Sequence, residues 1–483
     1  MQINQLFKNI TYEGMIDPTL QVIGISDDSR MIKPGELFVA ISGCEVDGHQ
    51  FIEQAIENGA VAIVTEKQLE DIAIPYIRVE NSRLALAQAA CQFYDEPSKR
   101  KKVIGVTGTN GKTTTTYMIR HLLQSSGLSC SLFGTIENRI NGQLFKRPNT
   151  TLSALELQKF IAESQDDFIV VEVSSHGIDQ FRTAGIEFDC CLFTNLDHEH
   201  LDYHKTMEAY FEVKSQLFHQ LKPAGVAIVN MDDPWGERLY DRLKVQAIPV
   251  VGVGNRQNAD IEIGSIEVPQ TQIAIRKHSH PITFDITSPL PGSHNIYNAT
   301  MATATLHQLG LEVEQLDTFF STFEGVSGRF HMIKYRSDVT VVVDYAHTAK
   351  AFTYLFETAK KLGAKRLIHV FGFRGKRDQL KRKEMISISR QYCDAVILTS
   401  DDLNGVSVEE MLNLYSSLYP DATIVMDRTK AIQAACELAK EGDWVLITGK
   451  GHEAYKETFH IPTTSDIETV QYLVSNHLKM NSV

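Results

Sequence analysis

The run Gly108-Thr109-Asn110-Gly111-Lys112-Thr113-Thr114 carries residue types that hold a nucleoside triphosphate. Gly108 and Gly111 let backbone N–H groups approach phosphate oxygens, Lys112 can reach the β- and γ-phosphates, and the Thr113 hydroxyl can ligate Mg²⁺. The strict pattern would put glycine at position 106, where this chain has valine, so the loop is a shortened variant. Glu172, with Ser174 and Ser175 behind it, closes the apolar run that starts at Phe168. A carboxylate there is costly unless it is paired or bound to a cation, so either a metal near the triphosphate or a structural ion pair accounts for it. From Asp197 to His204 three histidines and three acids fall within eight residues. The segment has neither HExxH spacing nor paired CxxC, so a phosphate-bound Mg²⁺ with oxygen ligands and one imidazole suits it better than zinc. Most of its side chains are expected to be solvated or outside the direct ligand set.

These residues need a scaffold that gathers strand ends. The Gly-rich turn lies between the apolar run Val103–Val106 and a helical stretch beginning at Lys112, and further strand-like runs (SCSLFGTI, FIVVEVS, DCCLFTN, GVAIVN) alternate with helical periodicity up to about residue 330. That alternation predicts a mostly parallel α/β sheet. Residues 258–290 change to short alternating segments and predict a small antiparallel excursion of the same domain. The polar stretch EPSKRKK at 96–102 marks a boundary, and a second alternating series from VTVVVDYAH onward predicts a Rossmann-like domain. The expected fold class is therefore α/β in three domains: residues 1–99 of mixed α and β, 100–331 around a P-loop-type sheet, and 332–483.

The whole chain of 483 residues is 22% charged and 43% hydrophobic, an ordinary globular mixture that excludes disordered, collagen-like and coiled-coil classes. Lys and Arg number 47 against 60 Asp and Glu, and the net charge of -13 repels nucleic acid and anionic lipid. An anionic substrate thus needs a locally positive pocket. Seven scattered cysteines read as buried thiols of a reducing compartment, and no stretch reads as a leader or a membrane span, so a cytoplasmic location is expected.

GVTGTNGKTTT, VEVSSHGIDQFR, TNLDHEHLDYH, YFEVKSQLF, DYAHT and ITGKGHE together resemble the Mur ligases, ATP-dependent amide ligases of peptidoglycan precursor synthesis. The likeness spans essentially the whole chain and is nearest to the MurE subgroup; GISDDSRMIKPGELFVAISG in the first hundred residues resembles the domain with which the MurE and MurF subgroups hold a uridine diphosphate. The resemblance implies that residues 1–99 hold the uridine diphosphate end of a UDP-N-acetylmuramoyl dipeptide, Ser29 and Arg30 included. It implies that Asn149, Thr150, Thr151, Ser174, Ser175, Gln180 and Arg182 meet the dipeptide. ATP would be held by the phosphate loop together with Asn295, Asn298, Arg329, Asp344 and His347. Lys214, by itself a solvated helix lysine, is implied to be carbamylated by CO₂ and to share a second Mg²⁺ with Glu172 and His204. Read without the family, Asn295 and Thr150 are equally helix-capping residues and Arg329 a linker cation. Leu152 stands where the family has proline and is expected to loosen its loop.

The resemblance also implies the chemistry. The γ-carboxylate of D-glutamate attacks ATP to give an acyl phosphate, which the amine of an amino acid displaces, with Lys112, Arg329 and Mg²⁺ stabilising charge. Members that add meso-diaminopimelate carry Asp-Asn-Pro-Arg, whereas this chain reads Asp401-Asp402-Leu403-Asn404. An amine-ended side chain tolerates Asn404 and the extra acid Asp402, so L-lysine is the expected residue, with meso-diaminopimelate or another amine or acceptor as alternatives. Phe371 to Asp378 has fewer glycines than the family pattern, although Arg377 still matches a position meeting ATP or the amino-acid carboxylate. Gly449 and Glu453 are implied to meet the incoming residue, Glu453 at its amino end; a solvated turn acid is the plainer reading of Glu453. A monomer acting on small molecules only is expected. The rival readings are a MurF-like or folylpolyglutamate-like ligase and a silent nucleotide-binding subunit.

Overall fold

A computed structural model describes residues 1–43, 46–264, 266, 270–275, 282–288, 290–312, 316–336, 338–376, 379 and 381–480. Three sheets follow one another along the chain. The first joins β1 (Gly24–Ser26), β2 (Glu36–Val39), β3 (Ala62–Thr65) and β4 (Tyr76–Arg78) in sequence order, all parallel. Its inward residues Leu37, Val39, Ala62 and Val64 share a core with Ala85, Leu86 and Ala89 of the helix Ser82–Phe93. Asn81 caps that helix by accepting from the Leu84 N–H.

The central sheet has eleven strands: β5 (Lys102–Thr107), β6 (Cys130–Phe133), β7 (Asn138–Ile140), β8 (Gln143–Phe145), β9 (Phe168–Glu172), β10 (Phe188–Phe193), β11 (Leu221–Asn230), β12 (Val250–Gly254), β13 (Ile261–Ile263), β14 (Gln270–Ile275) and β15 (Ile282–Thr287). Their order is β15-β14-β13-β12-β11-β10-β5-β9-β6-β7-β8. From β13 to β6 every neighbour is parallel, and the antiparallel strands lie at the two edges. The interior strands are unbroken apolar runs because both faces are covered. On one face pack Met118, Ile119 and Leu122 of the helix Lys112–Ser125 and Ile296 and Ala299 of the helix Ser293–Gln308; Phe211, Leu217 and Leu239 pack on the other. The expected excursion extends this same sheet through β13, β14 and β15.

The third sheet has the order β16-β17-β21-β18-β19-β20, formed by β16 (His331–Arg336), β17 (Val339–Asp344), β18 (Leu367–Phe371), β19 (Ala395–Leu398), β20 (Thr423–Ile424) and β21 (Trp444–Thr448). Only β16 is antiparallel to its neighbour. The helix Ala349–Lys361 covers one face with Phe352, Leu355 and Phe356, and the helix Arg428–Leu438 covers the other with Ala431, Ile432 and Ala435. Arg428 is fully buried there with Asp466, bonded through Nε at 2.6 Å and Nη2 at 2.7 Å.

Two expectations change. Leu152 does not loosen its loop: it is buried and packs into the central core. Lys214 is not solvated but 1% exposed, because the helix Met207–Ser215 turns it under the phosphate loop. The described cysteines are all free thiols, buried except for the half-buried Cys393; Cys44 lies outside the described residues. No described helix is long and apolar enough to cross a membrane.

Candidate active site

The carboxyl ends of the central and third sheets face a shared cavity of about 910 Å³. Its wall is built from residues at or just past strand ends: Thr109 to Thr114 after β5, Glu172 at the end of β9, Asn195 after β10, Tyr345 after β17, Arg374 after β18, Asp401 after β19 and Glu453 after β21. Ligands of open α/β sheets gather at such ends.

Gly108 has φ +140° and Gly111 φ +86°, and a Cβ on either would strike Thr194 or Asn298, so the turn requires glycine at both positions. Lys112 Nζ folds back onto the carbonyls of Gly108 (3.0 Å) and Thr109 (2.8 Å). Burial, with Arg329 nearby, lowers its pKa. The Thr113 hydroxyl donates to Glu172 Oε1 (2.9 Å) and accepts from Arg329 Nη2 (3.2 Å), while Glu172 Oε2 accepts from the Thr135 N–H (3.0 Å). The guanidinium of Arg329 lies over the Tyr345 ring at 4.3 Å, and its Nε is buried with no hydrogen-bond partner among the described residues. A buried donor left open is costly unless an acceptor arrives, and a phosphate oxygen is the acceptor suited to a guanidinium. The preceding Gly328 has φ +69°, and a Cβ there would collide with the backbone of Gly451 and His452.

Lys214 Nζ donates to the Gly108 carbonyl at 2.8 Å and sits 4.8 Å from the centre of the Tyr210 ring. Burial first, then the charge of Lys112, pulls its pKa well below the ordinary lysine value. His204 stacks on Tyr210 and shares a 2.9 Å hydrogen bond with the Ser175 hydroxyl; burial and His176 push it down to about 4. No three His, Cys, Asp or Glu side chains converge as a metal cage among the described residues. The donors that do lie side by side, the Thr113 hydroxyl and the Glu172 carboxylate, are hard oxygens of the kind Mg²⁺ takes.

Asn295 and Asn298 line the cavity and bond to each other at 3.0 Å; Asn298 also accepts from Thr115 at 3.2 Å. Asn295 donates to the Pro291 carbonyl and is not the helix cap. Asp344 is half-buried, accepts from the Phe330 N–H at 2.6 Å and the Ala346 N–H at 2.7 Å, and desolvation raises its pKa. His347 bonds Glu199 across the two sheets. Asn149, Thr150, Ser174, Gln180 and Arg182 line the cavity. Thr151 and Ser175 lie behind it: Thr151 donates to the Glu172 carbonyl, and both are buried.

Several sequence candidates are not brought to the cavity. Ser29 is buried against Gln54 (2.7 Å) beside β1, and Arg30 is an exposed partner of Asp28. Asp402, Asn404 and Gly449 stand outside the lining. Asp402 is not a free acid awaiting an amine, since Lys450 (2.6 Å) and Lys456 (3.1 Å) already hold it. The electrostatic argument for a lysine substrate therefore loses its main support. Glu453 is half-buried rather than a solvated turn acid, bonded by Arg374 and by the Tyr345 hydroxyl (3.1 Å). Arg377 lies outside the described residues.

The sequence reading passed over Tyr345, Arg374, Glu199, Lys350 and Lys381, all of which line the cavity. Tyr345 was legible, because it sits inside the DYAHT motif. Glu199 was not: a segment dense in charge looks solvated, yet this carboxylate is 6% exposed, between His347 and Lys381.

Three strand-rich units, with a phosphate loop where the second and third face one cavity, define a class of α/β enzyme fold, and sequence comparison identifies the family. Residues 106–306 match the Mur ligase middle domain, 328–451 the Mur ligase glutamate ligase domain, and 21–94 the Mur ligase family catalytic domain. The chain belongs to the Mur ligase family. It is 38% identical over 468 residues to the UDP-N-acetylmuramoyl-L-alanyl-D-glutamate–2,6-diaminopimelate ligase of Syntrophomonas wolfei, covering 94% of this chain and 95% of that protein. Among solved structures, a ligase of that same name superposes with a TM-score of 0.69 at 28% identity, covering 99% of each chain. The MurF ligase of Thermotoga maritima in complex with ADP shares the fold, with a TM-score of 0.63 at 20% identity and coverage of 97% and 100%.

Proposed function

We propose that this protein joins an amino acid to the D-glutamyl γ-carboxylate of UDP-N-acetylmuramoyl-L-alanyl-D-glutamate at the expense of ATP, a cytoplasmic step of peptidoglycan precursor synthesis, and that the amino acid is 2,6-diaminopimelate rather than lysine. Two of the relatives named above, the Syntrophomonas wolfei ligase and the first solved structure, carry that activity in their names. One observation carries the reading: Lys112, Thr113, Glu172 and Arg329 gather on one side of the cavity, and Arg374, Asp401 and Glu453 stand on the wall formed by the third sheet. A phosphate end and an amino-acid end thus share one enclosure. Residues 1–99 would hold the uridine diphosphate, 100–331 ATP and the dipeptide, and 332–483 the incoming residue.

Within this reading the phosphate loop receives the triphosphate, and Lys112 exchanges its two loop carbonyls for phosphate oxygens. Arg329 presents its open Nε to the transferred phosphoryl group, where a fixed guanidinium offsets developing charge. Arg182, anchored to the Thr151 carbonyl and Gln180 at 2.7 Å each, orients the acceptor. Thr113, Glu172, His204 and carbamylated Lys214 would hold Mg²⁺, which supplies charge neutralisation to the phosphates. Holding carboxylate and amine together in a closed site removes much of the entropic barrier to amide formation.

The test is phosphate release by purified enzyme with ATP, the UDP-muramoyl dipeptide and single amino acids. Release should require the acceptor and be fastest with meso-diaminopimelate. With the γ-carboxyl labelled in ¹⁸O, one label should appear in the phosphate; label-free phosphate would exclude the acyl phosphate.

A further inference from the structure

We propose that Arg374 reads the second carboxylate of the incoming amino acid, so that this chain recognises a doubly zwitterionic substrate with an arginine from the loop after β18. The assignment rests on the ligase reading above and names the residue that sets its substrate.

Diaminopimelate and lysine differ by one carboxylate, borne on the carbon that carries the distal amine. A site that separates them must offer a cation beside its anions. Arg374, Asp401 and Glu453 follow β18, β19 and β21, and β21-β18-β19 are adjacent in the sheet, so the three converge on the cavity. Arg374 Nη2 bonds Glu453 Oε2, and its Nε lies 3.6 Å from Asp401 Oδ1. Its Nη1 has no hydrogen-bond partner among the described residues, and the side chain keeps 26% of its surface open. A guanidinium flanked by two carboxylates is the charge complement of an ammonium and a carboxylate on one carbon.

The loop is fixed where it can serve. The Gly375 N–H donates to the Asp402 carbonyl (2.9 Å), and Asn404 Nδ2 donates to the Gly375 carbonyl (3.1 Å). A Cβ on Gly375 would collide with the Leu403 carbonyl. The loop bearing Arg374 is thereby joined to the 401–404 loop, which lacks an arginine of its own. Arg382 also donates to the Arg374 carbonyl at 3.0 Å. Three other cations on the cavity wall are engaged elsewhere: Lys381 with Glu199, Lys350 with Asp233, and Arg182 with Thr151 and Gln180.

The experiment measures phosphate release by full-length wild-type, Arg374→Gln and Arg374→Lys enzymes with meso-diaminopimelate or L-lysine as the amine. Arg374→Gln should raise the KM for diaminopimelate by about 30-fold or more, with kcat within a few-fold, as expected for loss of a charge-assisted bidentate contact. The KM values for ATP and acceptor should stay within about twofold, and any lysine turnover should not fall. Arg374→Lys should recover part of the loss. Equal losses with both amines, a rise in the ATP and acceptor KM values, or an unchanged diaminopimelate KM would each overturn the assignment while leaving the ligase reading intact. A wild-type enzyme inactive with every amine would instead overturn the ligase reading, and this assignment with it.

Discussion

The Thr113 hydroxyl donates to Glu172 Oε1 at 2.9 Å, tying the end of the phosphate loop to the last residue of the neighbouring strand β9. Glu172→Gln keeps an acceptor oxygen for the Thr113 hydroxyl, sets an amide NH₂ against the Thr135 N–H and removes the charge. We expect it to remain folded, with a melting temperature within a few degrees of wild type, and to lose about 10²-fold in kcat together with Mg²⁺ affinity. Undiminished turnover at low Mg²⁺ would rule out a cation at this carboxylate.

Lys214 is buried beneath the same loop, and its lowered pKa favours the neutral amine, the nucleophile that would attack CO₂ in the proposed carbamylation. Lys214→Ala should lose at least about 10²-fold in activity, and millimolar formate or acetate should restore part of it by filling the vacated anionic position. Failure of every short carboxylate to restore turnover would count against the carbamate.

Arg329 bridges Thr113 and the Tyr345 ring from the chain segment between the central and third sheets. Replacing it with alanine should cut kcat by about 10²–10³ with a smaller change in the KM for ATP, the pattern of a contact made chiefly in the transition state. If the KM for ATP rises instead while kcat holds, Arg329 is a ground-state binder.

Glu199 sets a pH dependence. Burial works to raise its carboxyl, but His347, His200 and Lys381 around it outweigh that and hold it well below the usual carboxylate range. Lys112, Lys214, Tyr210 and Tyr345 also face it. Because the folded state favours the ionised form, this contribution is complete above the unfolded carboxylate pKa of about 4.3 and is lost as pH falls through the lower folded value. Glu199→Gln should cost about 1–3 kcal/mol at neutral pH, less than a fully buried pair because His347 is 31% exposed. Its melting temperature should also fall less steeply than that of wild type below about pH 4.5. Parallel melting curves across that range would dismiss the effect.

The fold was legible because its signals are local. The Val103–Val106 run, the Gly-rich turn and the following helix need no distant partner to be recognised, and the change of pattern after residue 258 announced β14 and β15. The phosphate end of the site was legible for the same reason. The amino-acid end was not, since it depends on which loops meet: Asp402 reads as an available acid until Lys450 and Lys456 are seen against it. Arg374 carries no mark of a site residue in the sequence, and the loop contacts at Gly375 are what set it on the cavity wall. Lys214 gave no local sign of burial, because its cover comes from a strand about a hundred residues earlier.

Gly328 touches the backbone of Gly451 and His452 with no side chain between them, and the next residue is Arg329. The joint is therefore stiff: the segment that delivers a guanidinium to one compartment cannot shift without displacing the loop after β21 that carries Glu453 in the other. In the proposed ligase, nucleotide arrival and amine capture would be steps of one clockwork, and a bulkier residue at 328 would desynchronise them before it unfolded either half.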